Sequence, residues 1–144
     1  MNIIKLNINH IDFLLDLENK CFHIDSWNFK MLETELLNEK NINIGYLENG
    51  KLVGYLITLN LGDEVEVLRI GVHPNFRNRG IAKNLFNSFF DILKTQQIKK
   101  VFLEVSENNK FAKFLYESLG FKKLYTRKNY YENGLSADIY GLEI

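Results

Sequence analysis

A turn that carries two arginines and a glycine is the segment of this chain best suited to chemistry. It runs from His73 to Ala82, after the apolar stretch Val65–Val72 and before a long amphipathic segment. The first N–H groups of a helix lack intrahelical partners and carry partial positive charge, so a helix beginning here would attract an anion. Arg77 and Arg79 add cations, and Gly80 lets the backbone approach a ligand closely. The turn predicts a phosphate or pyrophosphate site, although a solvated basic turn would have the same composition.

The turn differs from two common phosphate-binding loops. It is not followed by Gly-Lys-Ser or Gly-Lys-Thr, and it lacks the Gly-x-Gly-x-x-Gly pattern of dinucleotide folds. A kinase-type phosphate loop and a dinucleotide fingerprint are therefore both excluded at this position.

A glutamate in the apolar segment Val101–Val105 is a candidate for acid–base chemistry. Alternation in a β-strand places Glu104 on the same face as Phe102 and opposite to Leu103. A carboxylate beside an aromatic ring would be partly desolvated, which would make it a better general base. The pattern fits equally well a glutamate that points to water from an exposed strand.

A tyrosine two helical turns beyond a capping residue is the second candidate. Asn109 is a typical N-cap, and Tyr116 follows seven residues later on the same side of the predicted helix. A phenol, with an ordinary pKa of about 10, could donate a proton to a departing thiolate. Because Phe111, Phe114 and Leu115 are also apolar, Tyr116 could instead be an ordinary core or groove-lining aromatic.

Composition limits the class of protein. A length of 144 residues predicts one domain over residues 1–144, and the balance of 18 basic against 18 acidic residues gives no overall attraction to nucleic acid or membrane. The single cysteine, Cys21, excludes an internal disulfide and fits a reducing compartment. The three histidines are scattered, so we expect no structural metal. The first residues contain no long apolar stretch, so we predict neither a signal peptide nor a membrane span, and a cytoplasmic location.

Hydrophobic periodicity predicts the element order β-α-α-β-β-β-α-β-α-β-β. The Asn49-Gly50 pair predicts a two-residue hairpin turn. A second helix should begin near Asn28 and run to about Lys40, with Phe29, Leu32, Leu36 and Leu37 facing inward. We expect an α/β fold in which a mixed sheet carries helices on both faces.

Several motifs resemble those of the Gcn5-related N-acetyltransferases (GNAT). Arg77-x-x-Gly80-x-Ala82, after a strand that ends in Ile70-Gly71-Val72, is similar to the coenzyme A pyrophosphate loop of that superfamily. Further segments resemble the RimI group of ribosomal-protein-alanine N-acetyltransferases: Glu18 to Trp27, Leu103-Glu104-Val105, Asn109, Leu115 to Phe121, Arg127 to Tyr131, and Ala137-Asp138. The chain departs from the pattern at Ser26, where proline is usual, and at His73, where an acidic residue is common.

The resemblance implies a fold, a reaction and a set of site residues. It implies the acyl-CoA N-acyltransferase fold, with a mostly antiparallel sheet splayed at the cofactor site. Acetyl-CoA would be the donor, the N-terminal alanine of a small-subunit ribosomal protein the acceptor, Glu104 the proton acceptor and Tyr116 the proton donor. The implied acetyl-CoA-binding residues are Ile70, Gly71, Val72, Asn78, Arg79, Gly80, Ile81, Ala82, Lys83 and Asn109.

Other interpretations stay open at this stage. The acceptor could be another amine, such as a small metabolite, a polyamine or a protein lysine, since one fold can serve many substrates. Alternatively, the chain could bind acyl-CoA without turnover. Tyr130 and Tyr131 could line a peptide channel or could simply pack within the sheet.

Overall fold

In residues 2–144, which the computed structural model describes, seven β-strands and four α-helices follow one another in the predicted order. The strands are β1 (Ile3–Lys5), β2 (Ile44–Glu48), β3 (Lys51–Asn60), β4 (Glu64–Val72), β5 (Lys100–Ser106), β6 (Lys122–Arg127) and β7 (Ala137–Glu143). The helices are α1 (Ile11–Cys21), α2 (Phe29–Leu36), α3 (Ile81–Thr95) and α4 (Lys110–Ser118). Short 3-10 turns at Ile8–His10 and Pro74–Phe76 precede α1 and α3.

The strands form one mixed sheet in the order β1-β2-β3-β4-β5-β7-β6. Every neighbouring pair is antiparallel except β4 and β5, which are parallel. The turn between β2 and β3 consists of Asn49 and Gly50, both with positive φ angles of 50° and 79°. The predicted hairpin and the predicted mostly antiparallel sheet are confirmed.

Helices cover both faces of the sheet, as predicted. On β3, Leu56 packs in the core layer beneath α3 and α4, together with Leu85 and Phe89. Its neighbours Tyr55 and Ile57 point the other way and pack in the layer beneath α1 and α2. This alternation along one strand is what a sheet buried on both faces requires.

The parallel strands β4 and β5 separate before they end. Their pairing extends only from Glu64 opposite Lys100 to Val67 opposite Leu103. At the same place Leu68 has no partner on β3, because the pairing register shifts there and forms a β-bulge. Beyond the bulge, β4 runs to Val72 without contacting β5 through backbone pairing, so the predicted splay is confirmed.

The second helix is shorter than the sequence predicts. Asn28 caps its start as expected, because its side chain accepts the N–H of Met31 at 2.9 Å. The helix ends at Leu36 rather than near Lys40, and the predicted inward residues Phe29 and Leu37 are exposed. The early end has a local cause. The side-chain amides of Asn41 and Asn43 donate to the Glu35 carbonyl at 3.2 and 3.1 Å. That carbonyl would otherwise accept a backbone N–H from a further turn of the helix.

Candidate active site

The turn before α3 is fixed by three local features. Gly80 is the N-cap of α3 and has a φ angle of 78°, a left-handed conformation that favours glycine. His73 stands where an acidic residue is common in the RimI-group pattern. Its Nδ1 accepts the N–H of Asn75 at 3.0 Å and so caps the 3-10 turn. Arg77 donates from Nε to the Val72 carbonyl at 3.0 Å. The side chains of His73 and Arg77 therefore hold the start of the loop, and the backbone conformation of Gly80 defines its end.

A cavity of about 450 Å³ lies between this turn and α4. Nine of the ten residues predicted to bind acetyl-CoA line it: Ile70, Gly71, Val72, Asn78, Gly80, Ile81, Ala82, Lys83 and Asn109. The exception is Arg79, whose guanidinium lies 5.0 Å from the centre of the Phe76 ring. The structure therefore brings most of the predicted residues together around one cavity. Arg79 instead packs on Phe76, which itself lines the cavity.

The cavity suits an anionic ligand that has an apolar arm. The charged side chains that line it are Arg77 and Lys83, and among the described lining residues there is no aspartate or glutamate. The first backbone hydrogen bond of α3 runs from the Asn84 N–H to the Gly80 carbonyl, which leaves the preceding N–H groups free of intrahelical partners. Cations and free N–H groups at one end, with an apolar wall elsewhere, match a pyrophosphate joined to a flexible chain.

Tyr116 lies at the inner wall of this cavity. It is 6% exposed, and its ring packs edge-on against Phe86 and Phe121 at centroid distances of 6.0 and 5.9 Å. Burial raises the pKa of Tyr116 to about 12, so the phenol stays protonated at neutral pH. Tyr116 is therefore a core aromatic that also lines the cavity, and its role as a proton donor stays a prediction.

Glu104 lies on the opposite face of the sheet. Its neighbours Leu103 and Val105 join the core layer that contains Tyr116, so the Glu104 side chain points the other way. There it lines a second cleft of about 400 Å³, together with Glu66. Glu104 is exposed, so of the two interpretations of this strand the carboxylate that points to water is the correct one.

Tyrosines surround the Glu104 cleft. The Tyr131 hydroxyl donates to Oε1 of Glu104 at 3.5 Å, while Tyr125 and Tyr130 line the cleft and flank Arg127. Burial, reinforced by the negative charge of Glu104, raises the pKa of Tyr131 to about 12. The two tyrosines named from the sequence therefore lie at this cleft, and Tyr131 contacts the candidate base directly.

A second carboxylate shares the cleft. Glu66 on β4 lies opposite Phe102 in the parallel register, which places it on the same face as Glu104. Burial raises the pKa of Glu66, and the nearby charge of Glu104 raises it further. Glu66 is therefore part of the cleft wall.

The cavity and the cleft both border the place where β4 and β5 part. The cavity includes Ile70 to Val72 of β4, beyond the last paired residue, and the cleft includes Leu103 and Glu104 of β5. Glu104 and Tyr116 thus do not share one cavity. They approach the gap from opposite sides of the sheet.

A buried ion pair that was not predicted from the sequence lies beside the cavity. Glu18 of α1 is fully buried, and both its oxygens are bonded: Arg69 donates from Nη2 at 2.6 Å, the Trp27 N–H donates at 2.7 Å, and the Tyr55 hydroxyl also donates. One signal existed. Glu18 lies seven residues after Ile11, on the same helical stripe as the apolar residues of α1.

The remaining predictions concern reactive groups. Cys21 lines the cavity, and burial raises its pKa to about 11, so the thiol is a weak nucleophile at neutral pH. Residues 2–144 contain no group of three or more His, Cys, Asp or Glu side chains placed to hold a metal ion, and the expectation of no metal stays a prediction. Within the same residues, no helix has the length and apolar character needed to cross a bilayer.

Comparison with known proteins decides the family. A sequence model described as the Acetyltransferase (GNAT) family matches residues 11–121. The chain belongs to the GNAT family. This acetyltransferase is 33% identical to the [Ribosomal protein bS18]-alanine N-acetyltransferase of Haemophilus influenzae over 133 residues, which cover 91% of this chain and 88% of that protein.

Solved structures agree with this assignment. The ribosomal-protein-S18-alanine N-acetyltransferase of Escherichia coli superimposes on the acetyltransferase with a TM-score of 0.92 and 30% identity, over 100% of this chain and 94% of that one. The PaiA N-acetyltransferase of Thermoplasma acidophilum, solved with coenzyme A, gives a TM-score of 0.82 at 18% identity over 99% and 98% of the two chains, a likeness of fold alone. The RimI-type resemblance, the GNAT fold and the N-acetyltransferase activity predicted from the sequence are confirmed.

Proposed function

We propose that this acetyltransferase moves an acetyl group from acetyl-CoA to the N-terminal α-amine of a protein, namely the N-terminal alanine of a small-subunit ribosomal protein. One observation supports the proposal: the cavity and the cleft lie on opposite faces of the sheet, and both border the gap between β4 and β5. The cavity that contains Tyr116 suits an anionic, chain-like donor, and the cleft that contains Glu104 is open and acidic, as an ammonium group requires. The names of the bacterial relatives support the ribosomal acceptor.

The proposal gives different tasks to the turn before α3 and to the end of β4. Gly80 to Lys83 hold the pyrophosphate through free helix N–H groups and the Lys83 ammonium. Ile70 to Val72 offer backbone groups that β5 leaves unpaired, and Asn109, the N-cap of α4, borders the same cavity. When bound, acetyl-CoA supplies the acetyl group as a thioester.

Two residues transfer protons in the proposed reaction. Glu104 receives a proton from the acceptor ammonium through its carboxylate oxygens, and Tyr131 orients that carboxylate by its hydrogen bond. Tyr116 gives its phenolic proton to the departing sulfur. Because the pKa of Tyr116 is raised to about 12, the phenol still carries that proton at neutral pH.

An exposed carboxylate is adequate for an α-amine. An α-amine with a pKa of about 7.8 is roughly 14% neutral at pH 7, whereas a lysine with a pKa of about 10.4 is roughly 0.04% neutral. The difference corresponds to about 3.5 kcal/mol of deprotonation cost. A weak base such as Glu104 therefore favours an N-terminus over a lysine side chain.

The whole chain is proposed to act as one N-acetyltransferase domain over residues 1–144, in the cytoplasm. Its partners are acetyl-CoA and the N-terminal tail of the protein substrate, without a direct role for nucleic acid or membrane. The balanced charge of 18 basic and 18 acidic residues supports the last point.

The test is release of coenzyme A from acetyl-CoA in the presence of three basic peptides, with mass analysis of each product. One peptide has a free N-terminal alanine, the second is N-blocked but contains lysine, and the third has a different free N-terminal residue. We expect turnover with the free alanine peptide. Activity only on the blocked peptide would instead assign a lysine acceptor. Tight acetyl-CoA binding without any turnover would contradict peptide N-acetylation and favour a small amine or a binding role.

A further inference from the structure

Two phenylalanines on α4 are exposed at the cavity that is proposed to hold the donor. Phe111 and Phe114 are 72% and 74% exposed, yet both line that cavity. They are three residues apart on the helix, so their rings are neighbours on one side of it. By contrast, Phe86 and Phe121, which touch the inner end of α4 through Tyr116, are buried. Adjacent exposed aromatic rings at the edge of a cavity indicate a surface that a ligand covers.

The position of the two rings selects one part of the donor. Tyr116 is a buried part of the cavity lining, and the proposed thioester end would lie there. The cationic turn Gly80 to Lys83 on the facing wall would hold the pyrophosphate in the middle of the molecule. What remains, beyond the pyrophosphate and toward solvent, is the nucleotide, whose purine is flat and apolar on both faces.

We propose that Phe111 and Phe114 form the contact surface for the adenine ring of acetyl-CoA. This inference rests on the proposed function, since it takes acetyl-CoA as the donor. Base–aromatic stacking stabilises a bound base enough to change affinity by roughly 5- to 100-fold. The two rings thereby make the enzyme select coenzyme A thioesters over donors that share the phosphopantetheine arm but lack the nucleotide.

Titration calorimetry with coenzyme A and with 4′-phosphopantetheine tests the proposal without any need for turnover. In the double variant Phe111→Ala, Phe114→Ala, we expect the Kd for coenzyme A to rise roughly tenfold or more, because the stacking surface is lost. The Kd for 4′-phosphopantetheine should stay within about twofold of that of the unaltered protein, since it has no base to stack. The variant Phe111→Trp, Phe114→Tyr should keep the tight coenzyme A binding.

A matched control removes an equally exposed ring elsewhere. Phe13 on α1 is 68% exposed and does not line the donor cavity, so Phe13→Ala should change neither Kd. Equal weakening of both ligands in the double variant would overturn the proposal and place the rings on the pantetheine arm. Unchanged binding of both ligands would overturn it as well, and would leave the rings as a surface for another protein. If no peptide is acetylated but the double variant still loses affinity for coenzyme A alone, only the proposed acceptor is contradicted.

Discussion

The guanidinium of Arg69 on β4 donates to the buried carboxylate of Glu18 on α1 through both Nε, at 3.1 Å, and Nη2, at 2.6 Å. The ring of Phe22 covers the guanidinium at 3.6 Å, and the Trp27 N–H donates to the same carboxylate. These contacts fasten the segment between α1 and α2 to the centre of the sheet. The wall of the donor cavity formed by Cys21 and Phe22 therefore depends on one ion pair.

Removal of Glu18 should destabilise the protein strongly. Glu18→Ala removes the carboxylate that pairs with Arg69, whose side chain is only 13% exposed, and we expect the free energy of unfolding to fall by about 3–5 kcal/mol. Denaturation in urea measures the change. The control is Asp16→Ala on the same helix, whose exposed pair with Lys20 should contribute less than about 1 kcal/mol. A similar small loss in both variants would show that the buried pair is not a major source of stability.

Gly80→Ala should weaken donor binding as well as stability. A left-handed conformation costs a residue with a side chain roughly 1–2 kcal/mol, and no atom lies within 4 Å of the added Cβ, so the cost is conformational. We expect a modest fall in thermal stability and a higher Kd for coenzyme A. Gly50→Ala is the control, because Gly50 has nearly the same φ angle and equally open surroundings but lies in the distant hairpin. Gly50→Ala should lower thermal stability as much as Gly80→Ala does, but its Kd for coenzyme A should equal that of the unaltered protein.

Tyr116→Phe should lower kcat roughly 100-fold or more, since general acid catalysis typically contributes that much. The KM for acetyl-CoA should change little, because the ring and its packing are kept. With the phenol pKa raised to about 12, the unaltered enzyme should show no loss of rate from this group below about pH 11. The control Tyr140→Phe removes a hydroxyl that donates to Glu117 at 2.8 Å, and it should leave kcat intact.

Glu104→Gln should lower kcat/KM for the alanine peptide most severely near neutral pH. An α-amine is largely neutral above its pKa of about 7.8, so the deficit should shrink as the pH rises from 7 to 9. Steady-state rates across that range measure the trend. Glu132→Gln removes the same charge from an exposed position outside the cleft and should match the unaltered enzyme. A deficit that is independent of pH would argue against a role for Glu104 in proton removal.

Local signals predicted most of the fold and of the donor cavity. The Asn49-Gly50 turn, the caps at Asn28 and Asn109 and the glycine before α3 each lie within a few residues of the element that they define. The partner of Glu18 could not be predicted in this way, because Arg69 is 51 residues away. The sequence left open whether Glu104 is desolvated or exposed, since the answer depends on which distant segments cover that face of the sheet.

The extra residue in β4 also restricts how this chain can change in length. Val67 precedes Leu68, the bulged residue, and Ile70 follows it, yet both face the layer beneath α3 and α4. Deletion of Leu68 would leave Arg69 and Ile70 on their present faces, but it would remove the bulge at which β4 leaves β5. Homologous chains should therefore keep the number of residues in β4 constant.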